Sequence, residues 1–177
     1  MTSFSDRMIR AAKLDVHVYE EVEADKGALG HAMSVVVLSS IAAGVGSIAS
    51  AGLGGILMGT ITALVAWYLW AWLTYLIGTK LLPEPQTRAD VGELLRTIGF
   101  SSTPGLIRVL GIIPGLANLV FLIASVWMLV AMVIAVRQAL DYSSTLRAIG
   151  VCLIGWFVQA LVFMLLFHLL GGTPKPV

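Results

Sequence analysis

The sequence predicts an all-α, polytopic helical membrane protein. Five transmembrane helices, the third of them broken, follow an N-terminal amphipathic helix. Three observations predict this. Of 177 residues, 58% are hydrophobic and only 12% charged, with a mean hydropathy of +0.93, whereas soluble domains are nearer a quarter charged. Four clean apolar runs, each long enough to cross ~30 Å of hydrocarbon at ~1.5 Å per residue, flank one apolar run that is broken. The basic residues gather on one side of that layout. A soluble domain with a large core is excluded.

Residues 4–25, FSDRMIRAAKLDVHVYEEVEAD, read as one helix capped by Ser5, with Asp6 in its first turn. Met8, Ala12, Tyr19 and Val22 share a face, interrupted by Asp15. The first half is basic (Arg7, Arg10, Lys13) and the second acidic (Glu20, Glu21, Glu23, Asp25). A solvated helix at the membrane surface accounts for this, as does a docking helix for a partner or anionic lipid. The first 27 residues hold no apolar run, so they are not read as a secretory signal.

Residues 28–51 are the first span, rich in small residues. Gly46, Ser50 and Gly54 lie four apart, as do Ala43, Ser47, Ala51 and Gly55. That spacing lets helix backbones approach closely, either inside this chain or in a dimer. Gly52, Gly54 and Gly55 make a turn into the second span, 56–78. Its later half carries Trp67, Tyr68, Trp70, Trp72 and Tyr75. Trp67 is too deep for an interfacial belt and is expected to pack against other helices. Pro83 and Pro85 then forbid a continuous helix. Thr87 and Asp90 match a capping box, and Val91, Leu94, Leu95 and Ile98 give the stripe of an interfacial helix.

Residues 98–116, IGFSSTPGLIRVLGIIPGL, are apolar but broken by Gly99, Pro104, Gly105, Gly111, Pro114 and Gly115. From 104 to 136 the chain is nearly continuous in hydrophobicity. As one helix it would be ~50 Å long, so Pro114–Gly115 is expected to break it. Spans at 118–136 and 148–170 follow, joined by the polar loop 137–147. If the broken stretch crosses, Arg7, Arg10, Lys13, Lys26, Lys80, Arg88, Arg96, Arg137 and Arg147 share one side and Lys175 faces the other. The positive-inside rule places the N-terminus in the cytoplasm and the C-terminus outside. A re-entrant stretch would move Arg137 and Arg147 out and spoil that division.

Arg108 lies within the broken stretch, and no span holds a carboxylate to meet it. A charge at membrane depth needs a reason. It snorkels to headgroups, or binds an anion or lipid headgroup, or meets a partner's carboxylate. Asn118 and Gln159, with serine hydroxyls and freed carbonyls, are its candidate neutral neighbours. Arg108, Asn118 and Gln159 are therefore the candidate ligand- or partner-binding residues. No residues are assigned to catalysis or to a metal: no His, Asp or Glu pair has ligand spacing, and no nucleophile elbow or phosphate loop occurs. Cys152, the one cysteine, sits in an apolar run as a small core residue. His168 reads as interfacial. No cofactor is expected.

Four pieces resemble the Yip (Ypt/Rab-interacting) family, in its bacterial branch: GFSSTPGL at 99–106, RVLGIIPG at 108–115, Trp127, and VRQALDYSSTLRAIG at 136–150. The resemblance in layout covers about residues 30–170. It implies a cytoplasmic N-terminus and five spans. Eukaryotic members contact Rab GTPases in the Golgi and ER, but their Asp-Leu-Tyr-Gly-Pro motif is absent here, which argues against such a partner. The expected organisation is an N-terminal cytoplasmic helix at 1–27, a Yip-type membrane domain at 28–171 and a short tail at 172–177.

The function expected is that of a non-enzymatic interaction or accessory subunit in a membrane complex, in the bacterial inner (plasma) membrane. Its partners would be membrane lipids and either another membrane protein or a second copy, with no nucleic acid. The alternative is a small transporter or lipid- or anion-binding protein that uses Arg108 and the broken third span.

Overall fold

Two short helices begin the chain, each started by a side chain that takes an otherwise unpaired amide. Ser3 accepts from the Asp6 amide at the head of α1 (Phe4–Ala12), and Asp15 accepts from the His17 amide at the head of α2 (Val16–Ala24). The computed structural model describes residues 2–169. Between the helices Leu14 takes φ 62°, a left-handed turn. The single N-terminal helix expected over 4–25 is thus two, and the cap is Ser3 rather than Ser5. The polar residue that interrupted the apolar face, Asp15, is where the chain breaks, because its carboxylate competes for backbone amides. Nor is α2 merely solvated: Val18, Tyr19 and Val22 are fully buried.

Four segments among the described residues are long and apolar enough to cross a membrane: Lys26–Gly46, Gly52–Leu81, Ala117–Ala139 and Thr145–Val162. They correspond to α3 (Leu29–Gly46), α4 (Ile48–Leu76, continued by a π turn at Ile77–Leu81), α6 (Ala117–Ala139) and α7 (Thr145–Leu169). Gly44 packs on Ile56, so the chain reverses between them. Gly52 makes the kink at φ 64° and ψ −176°, a conformation open essentially to glycine alone. Exposed large apolar side chains run from Leu53 to Trp72 on α4 and from Leu146 to Leu165 on α7. Each row spans about 28 Å, the thickness of a hydrocarbon layer.

α5 (Val91–Ser101) is opened by a capping box of Asp90 and Glu93, three residues later than the Thr87–Asp90 pairing expected. Thr87 instead accepts from the Glu84 amide. The expected interfacial helix is in fact interior, with every residue from Leu94 to Ser101 buried. Its polar members are paired: Arg96 donates through Nε to the Val22 carbonyl at 2.9 Å and also to that of Glu23. Those carbonyls end α2, which has no further helical amide to take them. Trp67 packs inward as expected, donating to the Leu95 carbonyl at 3.0 Å.

Ten residues of 3₁₀ helix, Thr103–Ile112, follow α5. Pro104 lacks the amide an α-helix would need. At ~2.0 Å per residue the thin 3₁₀ form covers ~20 Å. The end of α5 and this segment together run alongside α3. Gly99 abuts Ala32, Gly105 abuts Ser39, and Gly111 abuts Gly46. A Cβ on Gly46 would strike the Arg108 carbonyl. Of the expected small-residue stripe, Gly46 therefore serves packing within the chain, whereas Gly54 has no neighbour within 4 Å of a would-be Cβ. The side chains of Ser50 and Ala51, and the tail 172–177, lie outside the described residues. Gly115, at φ 85°, turns the chain into α6, so the expected break at Pro114–Gly115 is found.

Candidate functional site

Arg108 sits on the 3₁₀ segment and reaches across to α6. Its Nη2 donates to Ser125 Oγ at 3.2 Å, and its guanidinium carbon lies 5.5 Å from the centre of the Phe121 ring. Arg108 Nε is shielded from solvent and has no hydrogen-bond partner among the described residues. A buried donor left unmade is costly, so this atom marks an unfilled demand.

The Arg108 side chain lines a cavity of about 470 Å³ among α3, α4, the 3₁₀ segment, α6 and α7. Ser39 and Ser40 come from α3, Ser125 from α6 and Gln159 from α7. The rest of the wall is apolar: Trp67, Trp70, Met128, Met132, Cys152 and Trp156 among others. No Asp or Glu among the described residues belongs to it. Of the three candidates, Arg108 and Gln159 meet at this cavity. Asn118 does not: it lies exposed in the first turn of α6.

The polar wall atoms fall at one level. Ser40 Oγ donates to Thr60 Oγ1 at 3.1 Å, tying α3 to α4. Counting from the helix ends near Gly46, Gly52 and Ala117, Ser39, Thr60 and Ser125 each lie about 10–12 Å in. Gln159 lies about 15 Å from the end of α7 by the same measure. Trp70, Met132 and Cys152 lie further along, toward the opposite end. The cavity is thus amphipathic, with a cationic, hydroxyl-bearing zone above an apolar slot.

At that opposite end α2, α5 and the α6–α7 loop enclose a second, polar hollow of about 580 Å³. Glu20, Glu23, Glu93 and Asp141 surround it, with Arg137, Gln138 and Tyr142. Gln138 Nε2 donates to Glu20 Oε1 at 2.8 Å. Burial, reinforced by the charges of Asp141 and Glu93, pushes the Glu23 carboxyl up to about 7. No three His, Cys, Asp or Glu among the described residues are placed to hold a metal ion.

A family model described as the Yip1 domain matches residues 16–173. The chain belongs to the Yip1 family. No curated protein and no solved structure matches it. The match begins at the first residue of α2, so in this Yip1 chain it takes in the second N-terminal helix with the membrane helices. The motif 99–106 is the joint between α5 and the 3₁₀ segment, and 108–115 runs from Arg108 to the Gly115 turn. Trp127 donates to the Ala12 carbonyl at 2.8 Å, fastening the end of α1 to α6.

The motif 136–150 holds a fastening that single-sequence reasoning missed. Glu84, isolated between two prolines, accepts from Ser143 Oγ at 2.7 Å and from the Ser143 amide at 2.9 Å. Arg147 pairs with the same carboxylate at 3.5 Å. Tyr142 OH lies 2.7 Å from the Leu82 carbonyl and 2.9 Å from that of Gly78. Nothing local to Glu84 signalled this; the only hint was a carboxylate in one loop and Ser-Ser before a helix in the next. Ser125 was missed for a similar reason, as one hydroxyl in an apolar helix.

Proposed function

We propose that this Yip1-family membrane protein is a non-enzymatic interaction or accessory subunit that crosses the membrane five times. The third crossing would be the composite of α5 and the 3₁₀ segment. Its support is the parallel course beside α3, from Gly99 at Ala32 to Gly111 at Gly46: wherever α3 crosses, this segment crosses too. The basic side would be cytoplasmic by the positive-inside rule. The bacterial plasma membrane is the proposed site, supported by the sequence pieces shared with that branch.

The observation that carries the accessory role is the polar hollow between α2, α5 and the α6–α7 loop. Three parts of the chain remote in sequence build it. Arg96 and Gln138 hold α2 beside it through the Val22 carbonyl and Glu20, and Arg7 ties α1 to α2 by ion pairs to Glu21 at 2.9 Å and Asp25 at 2.8 Å. Such a preformed acidic recess suits a basic segment of a partner protein. Affinity purification in mild detergent tests it. A stoichiometric protein should accompany the wild type and be lost from a Glu20→Lys, Asp141→Asn double variant. Undiminished recovery in that variant, or no stoichiometric companion of the wild type, would overturn the reading.

A further inference from the structure

We propose that the cavity at Arg108 binds a single-chain anionic amphiphile, its carboxylate or phosphate head on Arg108 and its acyl chain in the apolar slot. Three features carry this, independently of the acidic recess. The first is charge. The described lining residues hold one guanidinium and no carboxylate, and a half-buried cation without a counter-ion is costly in an apolar setting. The second is the unmet hydrogen-bonding capacity of that guanidinium. Nη2 is engaged by Ser125, while Nε, shielded from solvent, has no partner among the described residues; the chain thus leaves the group unfilled, and its Nη donors remain for a charge-assisted bond to an oxyanion. Gln159 and the serines line the same cavity and would hold the head's remaining oxygen atoms.

The third is shape. The slot beyond the polar level is walled by Trp67, Trp70, Trp156, Met128 and Met132. Methionine adapts to a flexible chain and tryptophan offers wide apolar faces. The volume, about 470 Å³, falls within the ordinary range for a small-ligand pocket. Head and slot are ordered along the helix axes as a lipid is ordered in a leaflet: the head lies toward the Gly46–Gly115 end and the chain toward the interior. A ligand could therefore enter from the bilayer without inverting.

Three tryptophans in the wall give the readout. The whole chain is purified in a non-ionic detergent and titrated with 9,10-dibromostearate, whose bromines quench tryptophan at short range. Its methyl ester and a brominated lysophosphatidic acid are titrated alongside. Saturable quenching by the acid, by the phosphate lipid or by both, at least about tenfold weaker for the neutral ester, is expected from a charge-assisted contact. The stronger of the two anions names the headgroup. Arg108→Gln should weaken the anion by a similar factor, while Arg108→Lys should recover part of it. Equal quenching by acid and ester in the wild type would overturn the proposal, and so would an unchanged anion titration in a folded Arg108→Gln protein. The wild-type comparison stands even if a variant does not fold.

Discussion

At the scale of single residues, the side chains that matter most are polar ones brought to backbone groups left over by other elements. Arg96 closes the end of α2, Trp127 the end of α1, and Glu84 the start of α7. Each removes an unpaired donor or acceptor from a partly apolar setting, where leaving it unmade costs about 1–3 kcal/mol. Glu23 works in the other direction. Its carboxyl ordinarily titrates at 4.5 and is raised to about 7 in the fold. The folded state therefore holds the proton more tightly than the unfolded chain. Stability is full below about pH 4.5 and falls as pH rises through about 7. Glu23→Gln should raise the unfolding temperature at pH 8, by on the order of 1–3 kcal/mol of stability, and leave it nearly unchanged at pH 4.5. Thermal unfolding in detergent at the two pH values checks this; an equal effect at both would show that burial of the charge is not the cause.

At the scale of elements, the 3₁₀ segment depends on missing side chains. Gly46 and Gly105 let its backbone and Ser39 approach to contact, and Gly111 does the same against Gly46. Gly46→Val should force the segment away from α3 and cost about 1–3 kcal/mol by overpacking. Gly59, on α4, meets nothing within 4 Å of a would-be Cβ and has no positive φ. Gly59→Ala should be neutral or slightly stabilising, since glycine is the weaker helix former. Differential scanning fluorimetry of the two variants tests the contrast, and equal melting temperatures would remove the role assigned to Gly46. Gly52 is constrained for a different reason, its backbone angles, although a side chain there would meet no neighbour.

At the scale of the whole molecule, two buried clusters among the described residues hold the bundle. One joins α4, α5, α6 and α7 through Ala71, Leu94, Ile98, Val136, Leu140 and Val151. The other fixes the N-terminal helices to α3 and α5 through Tyr19, Val22, Ala32 and Phe100. Phe4 adds ring contacts with His31 and Phe100. The N-terminal helices are thereby part of the bundle's basic end, so the orientation of the bundle decides which compartment they face. With that end in the cytoplasm, a Val177→Cys variant should react with a membrane-impermeant maleimide added from outside. Reaction from the cytoplasmic side alone would reverse the proposed topology.

The sequence alone carries the helical class, the apolar runs, the break at Pro114–Gly115 and the inward packing of Trp67. These are properties of a segment against its solvent, and composition with period is enough to read them. It also singled out Arg108, because a charge in an apolar run is anomalous wherever the run ends up. It misjudged the N-terminal region, where Asp15 looked like a blemish in one helix but caps a second. It also misjudged α5, whose amphipathic stripe suggested a surface. Only the tertiary structure decided that Arg96 is buried against the carbonyls of a helix 73–74 residues away. Only it showed that Arg108, Ser125 and Gln159 share one cavity while Asn118 stands apart. Those facts depend on which faces of distant helices meet, and no local stretch of chain carries that information.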